Sequence, residues 1–167
     1  MLPPLLCLPP RGHGAASLAP LIAALEALGA RAFAIDTLAP DGTPLDEGDA
    51  EARIAFALRE LDQRCELVAW GDALGLALTT AGGQGPYLSG ITVIAGDGPS
   101  PASSTVPLAY LALEDDTFRA LPRQYEVAEA LGADPVLTLT LGSEPLATAA
   151  SHLADALIGI ATTRASL

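Results

Sequence analysis

The residues of this chain able to do chemistry gather around one corner. Between Cys65 and Ala81, in CELVAWGDALGLALTTA, the small residues Ala69, Gly71, Ala73 and Gly75 alternate with Trp70, Asp72 and Leu74. Residues without bulk on both sides of a bend let a strand turn sharply into a helix, because a Cβ there would clash. Asp72 is the reactive group at the bend. A carboxylate at a helix start beside apolar walls can act as a general base, or it can simply favour the helix dipole and cap the first turn. His13, an imidazole, can take or give a proton, or is a solvated loop residue. Asp97 and Glu144 would together suit proton shuffling, or each caps the helix that follows it. Trp70, the single tryptophan, is either core or the wall of a pocket. Glu114-Asp115-Asp116 reads as the acidic start of a helix, and His152 as a structural or surface residue of the last helix. No His/Cys cluster has metal-ligand spacing, so neither a metal nor another cofactor is expected.

The elements that must position these groups alternate between strand and helix. Leu5 to Leu8 is a short apolar strand halted by Pro9-Pro10, and Arg11-Gly12-His13-Gly14 is a loop. Ser17 is placed to cap a helix whose stripe runs through Leu18, Leu21, Ile22, Leu25 and Leu28, stopped by Gly29. A strand is predicted at Arg31–Asp36, a loop at Leu38–Gly48 and a helix at Asp49–Leu61. After the corner, Gly82-Gly83-Gln84-Gly85-Pro86 is expected to break the third helix. Strands at Gly90–Gly96 and Val106–Ala112, a helix near Phe118–Leu131 closed by Gly132, a strand at Val136–Leu141 and a helix at Leu146–Ile160 complete the reading. Short strands apolar on both faces, each followed by a helix, imply an α/β, doubly wound, mainly parallel sheet with helices on both faces. Strand C-termini then converge on one edge, where Arg11, His13, Asp72, Asp97, Asp115 and Glu144 would lie on loops.

The chain has 167 residues, half of them hydrophobic and 17% charged, with a net charge of -12 and no lysine. That is enough for one packed domain spanning 1–167. An acidic surface repels phosphate backbones and anionic lipid, which argues against nucleic-acid and membrane partners. Cys7 and Cys65 sit in apolar runs and read as buried free thiols. MLPPLLCLPP lacks a basic leader and no apolar run reaches spanning length, so a soluble, cytoplasmic protein is expected.

Two segments resemble the type II thioesterases of polyketide and nonribosomal peptide synthetases, a branch of the α/β-hydrolases. LLCLPPRGHGAASLAPLIAALEALGARAFAID is similar to their first strand, glycine loop, helix and second strand. LVAWGDALGLALTTA is similar to their nucleophile elbow with its tryptophan kept. Weaker similarity runs through ITVIAGDGPSP and LTLGSEPLATAASHLADAL. The resemblance implies a six-stranded sheet of order 2-1-3-4-5-6. It also puts Gly71 at the nucleophile position and Asp97 at the triad acid, with Ser143-Glu144 in place of Gly-His. A second register, with Ala73 at the apex, fits the small-residue pattern as well. Only Gly98 to Thr105 is available for a lid, too short for covering helices. Oxyanion-hole N–H groups would map to Asp72 and Arg11, with Gly71 and Trp70 beside them.

Glycine cannot be acylated, so hydrolysis through a serine is excluded if the alignment holds. The resemblance then implies a non-hydrolytic cyclase, isomerase or dehydratase acting on an apolar polyketide-like substrate, free or carrier-protein-linked. Asp72, Asp97, Glu144 or His13 would move the proton. Two other readings stay open: an inactive binding or assembly module, dimeric through its lidless face, and a hydrolase using Asp72 as nucleophile.

Overall fold

In the computed structural model, residues 1–98, 104–141 and 146–166 are described, with backbone alone at 146–148. Six strands form one parallel sheet in the order β2-β1-β3-β4-β5-β6, the order that the thioesterase resemblance implies. They are β1 (Leu5–Leu8), β2 (Ala32–Ala34), β3 (Cys65–Trp70), β4 (Leu88–Ile94), β5 (Leu108–Leu113) and β6 (Val136–Leu139). The helices are α1 (Ala19–Ala27), α2 (Glu47–Glu60), α3 (Leu74–Gln84), α4 (Leu121–Leu131) and α5 (Leu146–Ala165).

The two-residue period of the strands divides the core. Leu6, Leu8, Leu67, Ala69, Ile91, Val93 and Tyr110 face one way and meet Ile54 and Leu58 of α2, Ala77 of α3 and Val127 and Leu131 of α4. Leu5, Cys7, Val68, Ile94, Ala109 and Leu111 face the other way and meet Leu21 and Leu25 of α1 and Leu153, Leu157 and Ile160 of α5. The central strands β1, β3 and β5 are buried almost throughout, which is why they read as continuous apolar runs.

Several local expectations are corrected. Ser17 lies inside a 3-10 turn (Ala15–Leu18) and its hydroxyl donates to the Gly14 carbonyl, so it caps nothing. Helix α2 starts earlier than predicted because the Asp46 carboxylate accepts the Asp49 N–H. The expected breaker run Gly82-Gly83-Gln84-Gly85-Pro86 does end α3, whose last residue is Gln84. Helix α4 begins at Leu121, so the acidic triplet before it is loop and not a helix start. Helix α5 runs on to Ala165.

That last extension has a structural reason. Glu66 on β3 is fully buried and ion-pairs with Arg164 near the end of α5. Thr92 donates to the same carboxylate at 2.7 Å, and Arg164 also reaches the Ile91 carbonyl. Burial pushes the Glu66 carboxyl up, while Arg164 and the Thr92 hydroxyl pull it back. Gly90 leaves room for the guanidinium, since a Cβ there would collide with it.

Candidate functional site

The C-terminal ends of β1, β3, β4 and β5 open onto one cleft of about 700 Å³. Arg11, His13, Trp70, Asp72, Asp97, Asp115, Asp116 and Arg119 line it. Five of the residues expected at the strand edge, Arg11, His13, Asp72, Asp97 and Asp115, are thus brought together, while Glu144 falls outside the described residues. His152 is exposed on α5.

The corner itself is built as its small residues demand. Strand β3 ends at Trp70 and the chain enters a 3-10 turn (Gly71–Ala73) that runs directly into α3. Gly71 has φ +64, a left-handed conformation that favours glycine, whereas Ala73 is right-handed helical at φ -67. The apex is therefore Gly71, and the register with Ala73 at the tip is not adopted. The Gly71 carbonyl accepts the Asp97 N–H at 3.2 Å, tying the elbow to the turn after β4. In that turn Ala95 takes φ +44, and Gly96 cannot carry a Cβ without striking Val93. The Gly96 carbonyl accepts the buried Tyr110 hydroxyl at 2.8 Å, and burial raises that phenol's pKa.

Asp72 neither caps α3 nor stands free. Its Oδ1 accepts the Arg11 N–H at 2.7 Å. One of the two N–H groups expected to form an oxyanion hole is therefore already occupied, by a carboxylate of the same chain. The Arg11 side chain points elsewhere, donating Nη2 to the Leu45 carbonyl at 2.7 Å.

Above Gly71, in the space a nucleophile side chain would fill, sits Arg119. A Cβ on Gly71 would lie 3.0 Å from Arg119 Nη2 and 3.4 Å from Cζ. The guanidinium is held between two carboxylates, Nε 3.7 Å from Asp97 Oδ2 and Nη1 3.7 Å from Asp116 Oδ2. Its Nε is buried and has no hydrogen-bond partner. Asp116 also accepts the N–H groups of Phe118 and Arg119, shaping the turn that presents the arginine. Buried Gln124 then fixes that loop to the sheet, bonding the Leu113 N–H and both the Leu113 and Arg119 carbonyls. Asp115 accepts the Leu141 N–H, and Glu114 accepts the Thr140 hydroxyl, so the acidic triplet ties the β5 loop to the β6 loop.

Sequence reasoning missed Arg119 and Asp116. Arg119 lies 48 positions beyond Gly71, on a loop without a motif, and only the sheet order brings it over the elbow. A weak signal existed: the chain has eight basic residues, all arginine, and few of them stand near predicted strand ends.

A second, smaller cavity of about 340 Å³ adjoins the cleft. Leu18, Leu21, Leu113, Ala150 and Leu153 line it, and it shares Trp70, Leu113, Asp115 and Asp116 with the cleft. Trp70 is thus a pocket wall that also packs against the α1–α5 core. No group of three or more His, Cys, Asp or Glu residues able to hold a metal ion exists among the described residues.

No protein-family model matches the sequence, and no curated protein matches it either. Solved structures do. A pyrethroid hydrolase is 14% identical with TM-score 0.79 over 100% of both chains. An extracellular α/β-hydrolase from a Paenibacillus species is 11% identical with TM-score 0.75, covering 94% of this chain and 98% of that one. A monoacylglycerol lipase from Paleococcus ferrophilus is 10% identical with TM-score 0.71, covering 96% and 94%. At such identities the likeness is one of architecture. With its sheet order, its strand-to-helix elbow and these neighbours together, the chain has the α/β-hydrolase fold.

Proposed function

We propose that the protein is a non-hydrolytic enzyme of carbonyl chemistry, a cyclase, isomerase or dehydratase type acting on an apolar, polyketide-like substrate. The observation that carries this is the Arg119 guanidinium standing over Gly71, flanked by carboxylates and next to an apolar pocket. A fixed cation at the elbow suits an oxygen that gains negative charge, and it forms no covalent bond. Asp72, Asp97 or His13 takes a proton from the carbon beside the substrate carbonyl, and the C–H electron pair moves onto the oxygen as an enolate held by Arg119. The enolate carbon then attacks a second carbonyl, forming a C–C bond, or is reprotonated elsewhere. The proton taken first is returned to the product, so no oxidant or reductant is needed. Glu144, at the position that corresponds to the thioesterase histidine, is a further candidate for that proton.

Deuterium uptake tests this directly. In D₂O the protein should speed exchange at the α-carbon of octanoyl-N-acetylcysteamine without releasing thiol, and Arg119→Met should abolish the effect. Thiol release by the wild-type protein would instead mean hydrolysis and end this reading.

Two observations favour a second reading, an inactive binding or assembly module. The Arg11 N–H is closed off by Asp72, and Phe118 at the cleft rim is 90% exposed. A homodimer through that rim would be lost in Phe118→Ser, as read by sedimentation. Asp72 as nucleophile is less well supported, because Asp72 lies beyond the apex and is bound to Arg11.

A further inference from the structure

The apolar pocket and the charged cleft share a wall, and their chemistry constrains what enters them. We propose that they form one bipartite site for an uncharged, mainly apolar carbonyl compound, and that the site rejects acyl groups carried on anionic handles such as coenzyme A or phosphopantetheine. This rests on the reading of the cleft as a carbonyl site and narrows its substrate class.

The apolar half has room for a small hydrocarbon body: at about 340 Å³ it lies near the lower end of small-molecule sites. Leucines, alanines, Pro20 and Trp70 make up most of its wall, with Ser17, Asp115 and Asp116 as its polar groups. The other half decides the charge. Asp72, Asp97, Asp115 and Asp116 line the cleft against only Arg11 and Arg119, which leaves two negative charges in excess. Neither arginine is spare. Arg119 lies between Asp97 and Asp116, and the Arg11 side chain bonds the Leu45 carbonyl. A phosphate or carboxylate would thus meet four carboxylates against two guanidiniums, inside a chain of net charge -12. A neutral carbonyl oxygen meets no such repulsion, and the Arg119 guanidinium over Gly71 is a positive group within the same cleft. Like charges placed around an opening reject wrong ligands more than they tighten right ones.

Trp70, the single tryptophan, lines both halves and reports binding by its emission. The titration uses three probes of similar chain: methyl nonyl ketone, decanoate and decanoyl-CoA. The ketone should shift Trp70 emission saturably. Both anions should bind at least about tenfold more weakly, equivalent to about 1.4 kcal/mol, and the gap should shrink as salt is raised. Asp97→Asn with Asp115→Asn, both at exposed positions, should narrow the gap between ketone and decanoate. Equal or tighter binding of either anion overturns the proposal, as does the absence of any ketone response. The proposed chemistry fails separately. Ketone binding without α-deuteration of the thioester would retire the reaction and leave the site. Tight binding and deuteration of decanoyl-CoA would do the reverse.

Discussion

Replacing Gly71 by alanine asks whether the bend between β3 and α3 is built around a left-handed residue under an arginine. At φ +64 an alanine costs about 1–2 kcal/mol in backbone strain. Its smaller unfolded-state entropy returns about 0.4–1 kcal/mol, so the backbone alone leaves roughly 1 kcal/mol. The new Cβ also stands 3.0 Å from Arg119 Nη2, and the guanidinium must retreat by a few tenths of an ångström. Lengthening its contacts with Asp97 and Asp116 from 3.7 Å to about 4.0 Å loses about 0.3 kcal/mol each at an effective dielectric of about 20. The expected loss is therefore about 1–2 kcal/mol, read as a lowered urea midpoint at unchanged slope. Gly75 provides the contrast. It is exposed in α3, and nothing lies within 4 Å of where an alanine methyl would stand, so Gly75→Ala should gain about 0.5 kcal/mol. A neutral or stabilising Gly71→Ala, or an equal loss at both glycines, would refute the assignment of the apex.

Arg164→Met should cost about 3–5 kcal/mol near neutral pH, because it strands the buried Glu66 carboxylate. Burial raises the Glu66 pKa in the native state, so the contribution of Glu66 to stability is fully present on the acid side and is lost as pH rises through that native value. Losing Arg164 raises it further, and the deficit measured by urea unfolding should be smaller near about pH 5 than near about pH 8. Gln124→Leu should cost about 1–3 kcal/mol by leaving the Leu113 N–H unpaired and the Leu113 carbonyl with only the Asp116 N–H, and it should loosen the Arg119 loop, seen as faster amide exchange there. Burial pushes the Cys7 and Cys65 thiols up to about 12, so neither should react with an aromatic disulfide at about pH 8 until urea is added, when both should.

Much of the architecture was legible because it is written in short periods. Strand–helix alternation and doubly apolar strands are local signals, and they led to the parallel sheet; its order followed from the thioesterase resemblance. The Ala69–Gly75 spacing led to the elbow. What escaped depends on tertiary contact. The acidic triplet looked like a helix start because carboxylates favour helix N-termini; here they instead hold together the loops after β5 and β6. The capping role open to Asp72 was displaced by an N–H from a residue 61 positions away. Arg119 was unreadable for the same reason: its importance comes from being opposite a residue that has no side chain.

The Glu66–Arg164 clasp also bears on the far end of the molecule. It fastens the tail of α5 at one pole of the sheet, while Ala150, about 21 Å up the helix axis from Arg164, lines the pocket with Trp70. A rod hinged at its base travels furthest at its tip. A tilt of about three degrees about that anchor would swing the wall by roughly 1 Å over a lever of that length, and so a substitution at the base would change the bore of the chamber at the top.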